Sequence, residues 1–84
     1  MIISERIFKI MEERGLSQIE FSRKTGISQS TVADWKRKKT NPAADKIMTI
    51  CCVLEVTPYE LLQDTMNEQQ KERIKAYWDG FNKR

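Results

Sequence analysis

Apolar residues in this chain return at intervals of three and four. Ile7, Ile10 and Met11 form one set, Val32 and Trp35 a second, and Ile47, Ile50, Cys51 and Leu54 a third. Residues spaced in that way share one face of an α-helix, so the pattern predicts a succession of short helices. Strict alternation never lasts more than a few residues, and no strand is predicted. A last apolar set, Ile74, Tyr77, Trp78 and Phe81, falls at i, i+3, i+4 and i+7 in an otherwise charged segment. It predicts a further helix carrying an aromatic stripe.

The polar residues between these sets mark where the helices begin and end. Ser17 and Glu20 have the spacing of a capping box, in which the hydroxyl accepts the third helical amide and the carboxylate reaches back to the Ser17 amide. Leu16 and Phe21 flank them as a hydrophobic staple. Thr57, Pro58 and Glu60 repeat the arrangement with Val56 and Leu61 as the staple, and Ile27, Ser28 and Val32 supply a third. Ser4 is expected to cap the first helix and Gly15 to end it. Asn41-Pro42 stops the third helix. Asn67 with Gln70 caps the last one, and Gly80 is expected to end or fray it near Phe81. The prediction is an all-α fold, a five-helix domain over residues 1–64 with an additional C-terminal amphipathic helix in 65–84.

Composition narrows the class. With 84 residues and 39% apolar content the chain suits one compact domain with a small core. No segment approaches the roughly 18–20 apolar residues of a membrane helix, and the start lacks the apolar region of a signal peptide. A soluble cytoplasmic protein with no membrane partner is expected. The net charge of +3 and pI near 9.0 permit a polyanionic partner. The cations are concentrated in Lys36-Arg37-Lys38-Lys39, either a solvated surface or part of a binding face. Cys51 and Cys52 are neighbours that point about 100° apart on a helix and cannot easily bridge. With no histidine in the chain, a Cys-His nucleophile and a Cys/His zinc site are both excluded. No glycine-rich phosphate loop or plausible carboxylate pair is present either. Neither enzymatic activity nor a cofactor or metal is expected.

Between Gly15 and Pro42 lie two short helices joined at Thr25-Gly26, each opened by Ser-Gln. Val32 and Trp35 should turn the second of them toward the core. Gln29, Ser30, Ala33, Asp34 and Arg37 then face elsewhere. Uncharged polar side chains at the front of a helix can reach base edges when that helix enters the major groove of DNA. Gln29 can pair with adenine through N6 and N7, and Ser30 or Thr31 can meet several bases or a thymine methyl. Ser28 fits a capping role best. Gln18, at the first position of the preceding helix, is placed for a phosphate, and Lys38, Lys39, Thr40 and Asn41 for a second one. Such contacts orient the protein without reading sequence.

The joint spacing of Leu16-Ser17-Gln18, Phe21-Ser22, Thr25-Gly26, Ser28 to Val32, Trp35, Pro42 and Ile50 to Leu62 resembles the Xre/Cro-like, lambda-repressor-like helix-turn-helix family over about residues 3–63. The resemblance implies a five-helix DNA-binding domain of a bacterial or phage regulator that binds operators as a dimer. It places the phosphate-contacting glutamine on Gln18, the front of the recognition helix on Ser28, Gln29, Ser30 and Thr31, and a later reading position on Asp34. Arg37 joins the phosphate-contacting set. The chain departs from the family pattern at Ser22 and Cys51, where alanine is preferred, and at Lys38 and Glu55, where glycine is common. A non-glycine residue at positive φ costs about 1–2 kcal/mol, so these two helix ends are expected to be remodelled. Asp34 can accept from cytosine N4 or pair with Arg37 or Lys38.

Two functions follow for the chain. One is a sequence-specific transcriptional regulator, a repressor in type, that inserts helix 28–38 into the major groove of double-stranded DNA. The other is a protein-interaction module such as an antitoxin. The stripe Ile74, Tyr77, Trp78 and Phe81 either packs on the domain or forms an interface, with a second copy of the chain as a homodimer or with another protein partner.

Overall fold

A computed structural model describes residues 1–82, with the helical backbone alone for 77–82. Six α-helices follow one another: α1 (Ile3–Arg14), α2 (Gln18–Thr25), α3 (Gln29–Lys38), α4 (Ile47–Leu54), α5 (Pro58–Leu62) and α6 (Glu68–Asn82). Two 3-10 turns, Ala44–Lys46 and Gln63–Thr65, lead into α4 and out of α5. The described residues contain no strand.

The cap chemistry is largely as the spacing predicts, with two corrections. Thr57 and Glu60 close a full box: the Glu60 amide donates to Thr57 Oγ1 at 3.1 Å and the Thr57 amide to Glu60 Oε1 at 3.4 Å. Asn67 and Gln70 do the same at 2.8 and 3.0 Å. At Ser17 only half of the box forms, because the hydroxyl rather than the amide of Ser17 donates to Glu20 Oε1. Ser4 does not cap α1. The N-cap is Ile2, whose amide donates to Glu5 Oε1 at 3.0 Å, and Ser4 is buried in the first helical turn. The register is set by the acid three residues on: Glu5 serves Ile2, whereas Ser4 would need one at Ile7. The last helix, α6, ends at Asn82, one residue past Phe81, with Gly80 in its last turn.

The ends of α3 and α4 are not remodelled. Lys39, one residue beyond the expected position, has φ 52°, and Glu55 has φ 58°. Lys38 stays helical, and its ammonium lies 3.8 Å from Asp34 four residues earlier. The left-handed turn at Lys39 brings its amide and that of Thr40 onto the Trp35 carbonyl, satisfying an acceptor that the helix end leaves open. At Glu55, Arg14 from α1 approaches the backbone carbonyl at 3.5 Å and the carboxylate at 3.7 Å.

The core is continuous. Ile7, Ile10 and Met11 of α1 meet Phe21, Ile27, Val32, Trp35, Ile50, Cys51, Leu54 and Leu61. Phe21 and Trp35 stand edge to face with centroids 6.3 Å apart, which locks α2 against α3. Burial pushes the Cys51 thiol above its ordinary range, with Cys52 and Glu60 adding to the effect, so Cys51 packs as a neutral core residue. Cys52 is exposed. Arg6 pairs with Asp64 at 3.4 Å and ties α1 to the turn after α5. In α6, Ile74 is 46% exposed. Tyr77, Trp78 and Phe81 lie, as side chains, outside the described residues.

Ser22 is buried against this core and its hydroxyl has no hydrogen-bond partner. A shielded, unpaired hydroxyl opposes folding by about 1 kcal/mol or more. Ser22→Ala is therefore expected to stabilise the domain by about 1 kcal/mol, raising Tm by roughly 4–8 °C for a chain of this size. A thermal melt checks this, and an unchanged or lower Tm contradicts it.

Candidate nucleic-acid interface

The joint between α2 and α3 is built around Thr25. Its hydroxyl donates to the Phe21 carbonyl at 2.8 Å and accepts the Ile27 amide at 3.2 Å. Gly26, at φ 77°, turns the chain between them, a conformation glycine adopts without a Cβ clash. Ile27 is then buried, which fixes where α3 starts. Val32 and Trp35 hold the back of α3 in the core and leave its front in solvent.

At that front the Thr31 amide donates to Ser28 Oγ at 3.2 Å, and the Ser28 hydroxyl lies 2.8 Å from Thr31 Oγ1 and 3.2 Å from Ser30 Oγ. The three hydroxyls thus cluster around the cap, as the capping role of Ser28 requires. Gln29 differs from them. It is exposed, and among the described residues its side chain has no hydrogen-bond partner, leaving both ends of the amide free for a ligand. Gln18 sits half-buried at the first position of α2, next to the Ser17 cap.

On the flank of α3, Asp34 is paired with two cations: Arg37 at 2.5 Å and Lys38 at 3.8 Å. Lys39 and Thr40 are exposed beyond the helix end. Asn41 is committed in part, because its Oδ1 accepts the Ser4 amide at 3.1 Å. The sequence pattern did not reveal that contact, nor the Lys36 ammonium 5.8 Å above the Phe8 ring. Both depend on how α1 crosses α3, which no local spacing encodes.

The expected site residues therefore fall into two groups beside Gln18 and Gln29: a hydroxyl cluster at the front of α3 and a cationic flank and loop from Asp34 to Asn41. Half-exposed pairs of this kind stabilise a helix by only a few tenths of a kcal/mol, so Asp34 acts mainly on the charge of the surface. Asp34→Asn is expected to leave the fold intact, strengthen binding to arbitrary duplex DNA and steepen its dependence on salt by up to ~0.9 for each cation newly placed on a phosphate. Titrations at several salt concentrations check this. An unchanged slope contradicts it.

Two short helices set by a glycine turn, the second exposing its front and burying its back, define a DNA-binding helix-turn-helix protein. The Helix-turn-helix family matches residues 7–61. The chain belongs to that family, in its Xre/lambda-repressor-like branch, and with it to the DNA-binding transcriptional regulators rather than to an enzyme class. It is similar to the HTH-type transcriptional regulator SinR of Bacillus licheniformis, 25% identical over 81 residues that cover 95% of this chain and 73% of that protein. The HTH-type transcriptional regulator SinR of Bacillus subtilis is 25% identical over 79 residues, 93% of this chain and 71% of that protein. Among the described residues no helix is long and apolar enough to cross a membrane.

Proposed function

We propose that the chain is a sequence-specific repressor that acts in the cytoplasm, placing α3 in the major groove of an operator and excluding polymerase from it. The observation that supports this most is Gln29: an exposed amide without a partner among the described residues, at the front of a helix whose back is fixed in the core. Gln29 reads an adenine, and Ser30, Thr31 and Asp34 stand along the same helix for neighbouring bases. Gln18, at the positive end of α2, takes a phosphate. Ser28, Arg37, Lys38, Lys39 and Thr40 make up the rest of the backbone-contacting set, with Asn41 in the same loop.

A homodimer fits this reading, with two copies of α3 about one DNA turn, ~34 Å, apart. Ile74, exposed on α6, begins the stripe that the sequence continues through Tyr77, Trp78 and Phe81, and α6 is the proposed interface. Mobility shifts with random duplex at two salt concentrations test the DNA reading. Binding that weakens as salt rises is expected, and selection from random duplexes should return an approximately palindromic site. No binding at low salt overturns the proposal. Sedimentation of a chain truncated before Met66 tests the interface: an unchanged number of copies per particle removes α6 from the dimer, while assembly only with a different protein favours an interaction module.

A further inference from the structure

Helix α1 starts without a side-chain cap of its own, since its N-cap residue is Ile2. The amides of a first turn need acceptors from elsewhere. Glu5 serves the Ile2 amide, and the Ser4 amide is served across 37 positions of sequence by Asn41 Oδ1, at 3.1 Å. Asn41 follows Lys39, held at φ 52°, and the exposed Thr40, and it precedes the buried Pro42. Three residues before Lys39, Lys36 rests over the ring of Phe8 in α1. The segment that leaves α3 is thus held against α1 on both sides of Lys39, and Asn41 is the later of the two attachments.

We propose that Asn41 is a positioning residue: by holding the Ser4 amide through Oδ1, it fixes Lys39 and Thr40 beside the start of α1, where they meet a DNA phosphate. This rests on the DNA-binding reading above. It gives Asn41 a role through its neighbours in place of the direct phosphate contact the sequence suggested. A lysine on an unanchored loop loses side-chain and backbone freedom on meeting a phosphate, and one already placed loses less.

The test combines amide exchange with a double-mutant cycle on the full chain. In the native protein the Ser4 amide should exchange slowly for a first-turn position. Asn41→Ala should speed that exchange, and Asn41→Asp, which keeps an oxygen for the amide, should restore slow exchange. With random duplex DNA as the probe, Lys39→Gln should make the salt slope of affinity shallower by ~0.9 in the native background, the value for one lost phosphate contact. In the Asn41→Ala background the same change should have little further effect, because the contact is already weakened. If Lys39→Gln has its full effect in both backgrounds, or Ser4 exchange ignores Asn41→Ala, the proposal is overturned. If the native chain fails to bind duplex at low salt, the DNA reading falls and this role falls with it, an outcome distinct from binding with additive slopes.

Discussion

Trp35→Ala is expected to unfold most of the domain. The indole is 4% exposed, stands edge to face with Phe21 and forms the back of α3. Truncating a buried tryptophan to alanine costs about 3–5 kcal/mol, against a total stability of roughly 5–15 kcal/mol for ordinary domains. A chain this short lies toward the weak end of that range. Urea titration followed by helical circular dichroism should show the midpoint falling by half or more, and at 37 °C much of the helicity lost. Trp35→Phe keeps an aromatic ring against Phe21 and should cost clearly less. DNA binding should disappear with folding in the alanine variant, since the same side chain orients the front of α3. A midpoint within 1 kcal/mol of the native one, converted through the m-value, would show that Trp35 is not the central packing residue.

The second large effect separates the two glutamines. Gln29→Ala should leave stability unchanged, because the side chain is exposed and makes no hydrogen bond among the described residues. It should relax preference at one base position per half-site, by about 1–3 kcal/mol, a factor of roughly five to 150. Gln18→Ala should instead weaken selected and random duplexes by the same factor. Since glutamine carries no charge, the salt slope should not move in either variant. Binding to a panel of single-base variants of the selected site decides the matter. A uniform loss from Gln29→Ala, or a base-specific loss from Gln18→Ala, reverses the assigned roles.

Most of the fold was legible because its signals are local. The Thr57-Glu60 and Asn67-Gln70 boxes and the Ser28 cap need only residues within three positions of each other, and each is present. Apolar faces at three- and four-residue spacing likewise gave the core positions Ile7, Ile10, Met11, Val32, Trp35, Ile50, Cys51 and Leu54. Ser4 does not cap because Glu5 serves the amide of Ile2 and starts the helix two residues earlier, which leaves Ser4 buried in the first turn. The left-handed turn falls at Lys39 and not at Lys38, which stays helical and lies near Asp34 one turn back. At the interface, the pattern singled out Gln29 and Asp34 and foresaw that Asp34 could pair with Arg37 or Lys38. The half-commitment of Asn41 could not be read, since its partner is 37 residues away. Nor could the approach of Arg14 to Glu55, which depends on the packing of α1 beside the end of α4.

The two charged residues at positive φ have a further consequence for how the molecule moves. Helix ends that close on glycine relax into the left-handed turn, whereas Lys39 and Glu55 are held there against a backbone preference of about 1–2 kcal/mol. That preference lowers the free energy of opening at those ends. For Glu55 the approach of Arg14 counteracts it. At Lys39 the counterweights are the shared Trp35 carbonyl and the hold of Asn41 on the Ser4 amide, while Val32 and Trp35 fix the middle of α3 in the core. The surface that meets DNA is thereby divided into a front whose register is set by the core and a rear whose placement hangs on one long-range contact, so losing that contact would release the rear without disturbing the front.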